Sequence, residues 1–349
     1  MNAQTNDWSD WIKIIKNYNY PDSAKSWWQI ANSVVPYIGL WVIMIYSLEV
    51  SYWLTLALSI IAAGFLARIF IIFHDCGHGS FFKSVRMNKI VGILAGGLVF
   101  TPYHKWHHQH KIHHQTVGNL DKRGVGDVMT LTLDEYKNLS PGKRFFYRIY
   151  RNPVMLFLIA PFFLFTIMNR IPTKKLPGKM NLYTHLTTLG IIAAITAVSL
   201  LIGLKTYLLI QVPVLYFASG FGVWLFYVQH QFKDVVWERS ESWDYKSIAM
   251  EGSSYLKFPK ILQWFSGNIG FHHLHHLSPK IPNYKLERCY NENPLFQKKP
   301  LTFFSSFKSI RFHLWDESNE KLISFKEAVT ILRINSLNHF HENNLVSNN

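Results

Sequence analysis

Trp53-Leu-Thr-Leu-Ala-Leu-Ser-Ile-Ile-Ala-Ala-Gly-Phe-Leu-Ala-Arg-Ile-Phe-Ile-Ile-Phe73 is a run of 21 residues with a single charge, Arg68, and it passes directly into His74-Asp-Cys-Gly-His78. A helix needs about 20 apolar residues to cross the hydrocarbon core of a bilayer. The stretch therefore reads as a spanning helix that carries a histidine pair out of the membrane on its end. Arg68 lies within about two turns of that end and is expected to snorkel to it.

Two more clusters follow, His110-Lys-Ile-His113-His114 and His272-His-Leu-His275-His276. Imidazole is the commonest side-chain metal ligand, and residues at i, i+3 and i+4 share a helix face. Each cluster is thus expected to aim its rings at one point. A single His pair is ordinarily a surface accident or a hydrogen-bonded core pair, but three spaced clusters offer more ligands than one metal takes. They imply a two-metal centre. His104, His107, His108 and His273 stand beside the clusters and read as solvated residues of a His-rich loop.

The 349 residues are 49% hydrophobic and 16% aromatic, with a formal net charge of +15. A nucleic-acid binder would gather its Lys and Arg in a soluble, basic-faced domain. Here they flank apolar segments, as in cytoplasmic loops near anionic lipid. Cys76 and Cys289, far apart in the chain, suggest no disulfide framework, and Cys76 reads as a small packing residue. The start of the chain has no signal-peptide pattern, so its first apolar segment is expected to be retained as an anchor.

Ala31 to Leu48 and Trp53 to Phe73 form a first hairpin. The connector lacks Lys and Arg, whereas Lys83 to Arg151 holds twelve against four acids, which places that region in the cytoplasm. Ile90 to Pro102 is too short to span and reads as re-entrant or interfacial. Three apolar stretches remain: Pro153 to Met168, Leu182 to Leu204 and Tyr207 to Val228. All three crossing would put the third cluster on the wrong side. The shortest, with Pro161 in its middle, is expected to dip in and return; the rival is that Tyr207 to Val228 does so. The expected fold is an all-α integral membrane protein with about four transmembrane helices in two hairpins plus re-entrant segments, capped by a cytoplasmic histidine-rich helical domain holding the dimetal site. The expected divisions are 1–30, a cytoplasmic N-terminal segment; 31–285, the membrane domain with its cap; and 286–349, a cytoplasmic tail whose Asn-rich end, 339–349, frays.

All-histidine ligation suits Zn, Cu, Fe or Ni. A closed zinc site takes four ligands and a zinc hydrolase three plus water, so this many imidazoles facing a bilayer better fits two redox irons activating dioxygen against a lipid C–H bond. His74-Asp-Cys-Gly-His78-Gly-Ser-Phe, Trp106-x-x-x-His110-x-x-His113-His114-x-Thr116 and Gly270-Phe-His272-x-x-His275-His276-x-x-Pro279 resemble the three histidine boxes of the membrane fatty acid desaturases. The resemblance runs from about Pro36 to Lys285. Asn119-Leu-Asp-Lys-Arg-Gly124, Trp224-Leu-Phe-Tyr-Val-Gln-His230 and Glu251-Gly-Ser-Ser254 look most like bacterial phospholipid delta-5 desaturases, with the delta-12 kind next.

The resemblance implies a non-haem di-iron centre that, with O2, makes a cis double bond in acyl chains of membrane phospholipid. It also implies a ninth ligand at the end of the last membrane helix, the place of His230. Asp75, Asp121 and Asp127 are candidate partners for the ligand rings, and Trp106 and Trp264 candidate walls of an acyl tunnel. With no His-Pro-Gly-Gly segment, iron–sulfur cysteine set or dinucleotide fingerprint in the sequence, electrons must come from a separate carrier, by analogy ferredoxin, flavodoxin or a cytochrome. A membrane di-iron hydroxylase shares the same boxes. A metal transporter or sensor would instead place ligands near the bilayer midplane.

Overall fold

The computed structural model describes residues 10–173 and 176–334; the Asn-rich end at 339–349 lies outside them. In order the α-helices of five residues or more are α1 (Trp11–Lys16), α2 (Ser23–Val50), α3 (Tyr52–His78), α4 (Val85–Leu98), α5 (Tyr103–Thr116), α6 (Leu133–Lys137), α7 (Pro141–Tyr150), α8 (Ala160–Thr166), α9 (Gly178–Ile202), α10 (Leu204–His230), α11 (Tyr245–Glu251), α12 (Lys260–Phe265), α13 (His272–Leu277) and α14 (Asn283–Glu292). Four of them, α2, α3, α9 and α10, are long and apolar enough to cross a membrane. They form two hairpins with one-residue links, Ser51 and Gly203. The chain is an all-α membrane protein in its membrane part.

Local chemistry sets the helix ends. The Asp22 carboxylate accepts from the Ala24 and Lys25 amides and starts α2. Gly79 adopts φ 63°, a left-handed cap that stops α3 one residue after His78. The third apolar stretch continues as helix past Val228 to His230. Each spanning helix that delivers histidines thus overshoots its apolar run and ends on them.

Chain parity decides which segment fails to cross. α3, α5 and α10 all bring histidines to one face, so α9, antiparallel to α10, begins on that face. The chain between Thr116 and Gly178 starts and ends on it. Within this stretch α7 is followed by a helical segment, Val154–Arg170, bent from it by 52° and opening as a π-helix over Val154–Ile159. By this parity the bent unit is the one expected to dip in and return rather than cross. The rival segment, α10, runs unbroken for 27 residues through Pro213 and is long and apolar enough to cross.

The turn after α4 and the turn after Val154–Arg170 meet each other. The Lys105 ammonium donates to the carbonyls of Asn169 (3.1 Å) and Ile171 (2.8 Å). Arg170 donates to the carbonyls of Phe100 (3.0 Å) and Phe165 (2.9 Å). Backbone carbonyls freed from helix need hydrogen-bond partners, and each turn supplies them to the other. Arg68 also differs from expectation. It stays within the protein, donating to the Trp264 carbonyl with its guanidinium 4.0 Å over the Trp264 ring.

The cap contains short strands that sequence periodicity did not reveal: β1 (Leu131–Thr132), β2 (Leu256–Lys257), β3 (Leu301–Thr302), β4 (Leu314–Asp316) and β5 (Lys321–Ile323). β1 pairs parallel with β4, which pairs antiparallel with β5, and β2 pairs parallel with β3. Arg151 locks this layer to α10. Its guanidinium donates to Met129 O (3.2 Å), Thr130 Oγ1 (3.0 Å), Tyr227 OH (3.1 Å), Gln231 Oε1 (3.2 Å) and Phe312 O (2.9 Å). An Arg151→Met change strands these buried acceptors and is expected to cost about 3 kcal/mol. The check is the thermal midpoint of purified protein, which should fall by several degrees; an unshifted midpoint would show that the acceptors find other partners.

Candidate metal centre

The nine histidines gather into two sets. One holds His74, His78, His110, His114 and His275; the other holds His113, His230, His272 and His276, and in each the candidate donor atoms all lie within 4.8 Å of one another. The boxes do not each aim at a single point, as their spacing suggested. Boxes two and three are split in the same way. Successive helix positions turn by about 100°, so i and i+4 differ by about 40° while i+3 falls about 60° to the other side of i. On α5, His110 and His114 therefore go to one set and His113 to the other. On α13, His272 and His276 go together and His275 crosses over. His114 and His276, one from each set, stack at 4.2 Å, so the two sets are neighbours.

The distances suit metal ions. His110 and His275 Nε2 lie 3.1 and 3.0 Å from His114 Nε2. His230 and His276 Nε2 lie 3.0 and 3.1 Å from His272 Nε2. Two nitrogens bound about 2.1 Å from one ion at a right angle stand about 3.0 Å apart. The Nε2 atoms of His78 and His113 are buried without a protein partner. Burial and neighbouring imidazoles hold His110, His114, His272, His275 and His276 well below the ordinary imidazole range. They are neutral at pH 7, the form that donates a lone pair.

Three rings are oriented from behind. His74 Nδ1–H donates to Asp75 Oδ1 at 3.0 Å and His113 Nδ1–H to Asp127 Oδ1 at 2.5 Å. His230 Nδ1 lies 3.3 Å from the Gly252 carbonyl. Each contact leaves Nε2 facing the set. Gly126, at φ 74°, brings Asp127 in: a Cβ there would sit 3.2 Å from both Gln109 O and His113 Cβ. Asp121 plays no such part. It pairs with Arg239 and accepts from the Ser240 amide on the surface. Asn283 was not foreseen; its backbone and side-chain N–H groups donate to Asp75 Oδ2 at 2.8 and 2.9 Å.

The remaining candidates also find places. His273 is buried rather than solvated; its Nε2–H donates to Phe296 O at 3.0 Å, away from both sets, and burial pushes its pKa down to about 3. His104 packs tilted against Tyr183 at 4.2 Å, and His107 and His108 are half-buried on α5. Trp106 stacks on His110 at 4.3 Å. Trp264 holds Arg68. Neither tryptophan lines the large apolar cavity among the helices. Cys76 and Cys289 are buried free thiols.

Comparison with known proteins agrees with this arrangement. The fatty acid desaturase family matches residues 51–307. The chain is 49% identical over 315 residues, 90% of each chain, to a Bacillus subtilis protein named fatty acid desaturase. It is 26% identical over 271 residues, 70% of this chain and 71% of the relative, to the sn-1 acyl-lipid omega-3 desaturase (ferredoxin) of Synechocystis. An omega-3 fatty acid desaturase of the endoplasmic reticulum from Vigna radiata is 28% identical over 62% of this chain and 59% of its own. With its histidine sets at the ends of spanning helices, the chain belongs to the fatty acid desaturase family and is an oxidoreductase.

Proposed function

We infer that the chain is an acyl-lipid desaturase that forms a cis double bond in the acyl chains of membrane phospholipids, at the delta-5 position, with its centre on the cytoplasmic face of the cell membrane. The observation that carries this reading is the pairing of five and four imidazoles side by side at the membrane face of two helical hairpins. Delta-5 rests on the likeness of the segments around Asn119, His230 and Gly252 to phospholipid delta-5 desaturases. The nine histidines are the ligands of two iron ions on this reading, with the Nε2 atoms as donors. Iron bound there would supply O2 activation and hydrogen abstraction.

The reaction balances when one O2, two electrons and two protons from outside, and one hydrogen from each of two adjacent methylenes, give an alkene and two waters. The chain's own residues hold the geometry. Asp75, Asp127 and the Gly252 carbonyl fix ring orientation, while Phe226, packed on His113 at 5.1 Å and His230 at 5.3 Å, excludes water from the second set.

Electrons come from a separate acidic carrier such as ferredoxin or flavodoxin. Lys83, Lys111 and Lys280 are exposed on this face, and Lys280 donates to the His78 carbonyl at 2.7 Å. Electrostatic steering of an acidic carrier weakens with salt, so turnover with a soluble donor is expected to fall about tenfold from low to high ionic strength. A rate indifferent to salt would count against a charged docking face.

The deciding experiment expresses the chain in a desaturase-free bacterial host and locates double bonds in its lipids by mass spectrometry. A new cis alkene at carbon five supports the reading, and an alkene elsewhere corrects the position. A hydroxylated chain would move the assignment to a hydroxylase. A purified protein carrying zinc, with unchanged lipids, would overturn it.

A further inference from the structure

A cavity of about 860 Å³ lies between the two hairpins, on the side of α4 turned away from the histidines. Helical periodicity separates the two faces of α4. Asn88, Gly92, Ala95 and Gly96 are buried, whereas Lys89, Ile93, Leu94 and Gly97 line the cavity. Packed rings close the inner side. Tyr103 lies so near Gly92 that an added Cβ would sit 2.3 Å from its ring. Phe73 packs on Tyr103 at 5.9 Å, Trp106 on Phe73 at 4.7 Å and His110 on Trp106 at 4.3 Å. None of the nine histidines of the two sets lines the cavity.

Its outer wall is α9, which lines it from Tyr183 to Val198, a length of about 22 Å at about 1.5 Å per residue. α9 buries only Thr184 and Ile191, and α2 faces it across the cavity. One end carries the Lys89 amine and His104, and among the described residues no acid lines the cavity. The far end is floored by Tyr37, whose hydroxyl donates to Gln211 Oε1 at 3.3 Å, and by Trp41 packed on Tyr207 at 5.6 Å. Between the two ends the lining is overwhelmingly apolar. A long apolar slot in a membrane protein, with a cation at its headgroup end, matches an acyl chain beneath a phosphate.

We propose that this cavity is a second lipid site. It seats an acyl chain of one anionic phospholipid, with the phosphate at Lys89 and His104, and that chain is not the one oxidised. The lipid fills the gap between α2 and α9 and so steadies the hairpin whose other helix ends at His230. The site stands independently of the function proposed above, because its occupancy is read without turnover.

Gly97 and Gly190 both line the cavity, and a Cβ built at either meets nothing within 4 Å. Leucine at both positions fills the slot and also favours helix. The test reconstitutes wild type, Gly97→Leu/Gly190→Leu and Lys89→Gln in vesicles of equal phosphatidylglycerol and phosphatidylcholine. Each protein is then re-extracted in detergent, and its retained lipids are counted by mass spectrometry. Wild type is expected to keep about one phosphatidylglycerol per chain and the double variant at least about tenfold less. Lys89→Gln should keep lipid but lose about fivefold of the preference for the anionic headgroup. A double variant with wild-type iron content and thermal midpoint that retained wild-type lipid would overturn the site. An unchanged preference in Lys89→Gln would overturn the headgroup assignment. Loss of double-bond formation in a double variant with wild-type iron content and thermal midpoint, its hairpin therefore still steady, would make the cavity the seat of the reacting chain, against the proposal.

Discussion

Replacing His230 by alanine is expected to abolish double-bond formation while leaving the protein in the membrane. His230 closes α10, and its Nε2 lies 3.0 Å from that of His272. The set it belongs to has four candidate donors, and nothing beside it replaces the lost nitrogen: Phe226 has no donor and the Gly252 carbonyl faces Nδ1. Removing partners that merely orient ligands already costs about 10–100-fold. Loss of a donor itself should therefore lower product by at least about a hundredfold, and purified protein should hold less iron than wild type. His108→Ala, outside both sets, is the matched control and should keep its activity. Full activity in the His230→Ala protein would remove His230 from the ligand set.

An Asp75→Ala change should weaken metal binding and stability together. Asp75 is 2% exposed, and its carboxylate accepts from His74 Nδ1–H, from the Asn283 amide and from the Asn283 side chain. Truncation leaves three donors in a dry site, at about 1–3 kcal/mol for each one left without a partner. It also frees the His74 ring, for an expected 10- to 100-fold loss of metal affinity, about the range seen for such partners. Iron retention against a chelator, read beside the thermal midpoint, separates the two effects. A lowered midpoint with unchanged retention would make Asp75 a structural anchor of α14 only. Asp121→Ala, on the exposed Arg239 pair, should change neither, since surface ion pairs contribute about 0–1 kcal/mol.

The spanning helices were legible because lipid demands long apolar runs, and the runs around Ile43, Phe65, Ile191 and Leu215 have no other ready reading. The re-entrant segment followed from parity, since the third box had to return to the face of the first two. Other features were not legible. Asp75, Asp121 and Asp127 are alike in sequence as acids in a basic region, and only packing separates the two that reach imidazoles from the one that pairs with Arg239. His273 sits within its box yet turns to Phe296, because one helix step rotates it about 100° away from His272, which faces the metal sets. The cap strands are two or three residues long, too short to show alternation. Arg68 looked like a residue reaching for water because its partner, the Trp264 carbonyl, lies 196 residues away.

The split of boxes two and three ties the two metal sets into one thermodynamic unit. α5 and α13 each present rings to both, so an ion held at one set would fix the tilt of helices that an ion at the other also needs. Ordering cost met once is not met again, so binding at one position would raise affinity at the other. Titration of metal-free protein should then give a single sigmoidal step, with half-loaded chains scarce at every concentration. Because ligand binding feeds folding stability, metal-free chains should also be the ones that unfold first, which couples the supply of metal to the lifetime of the protein.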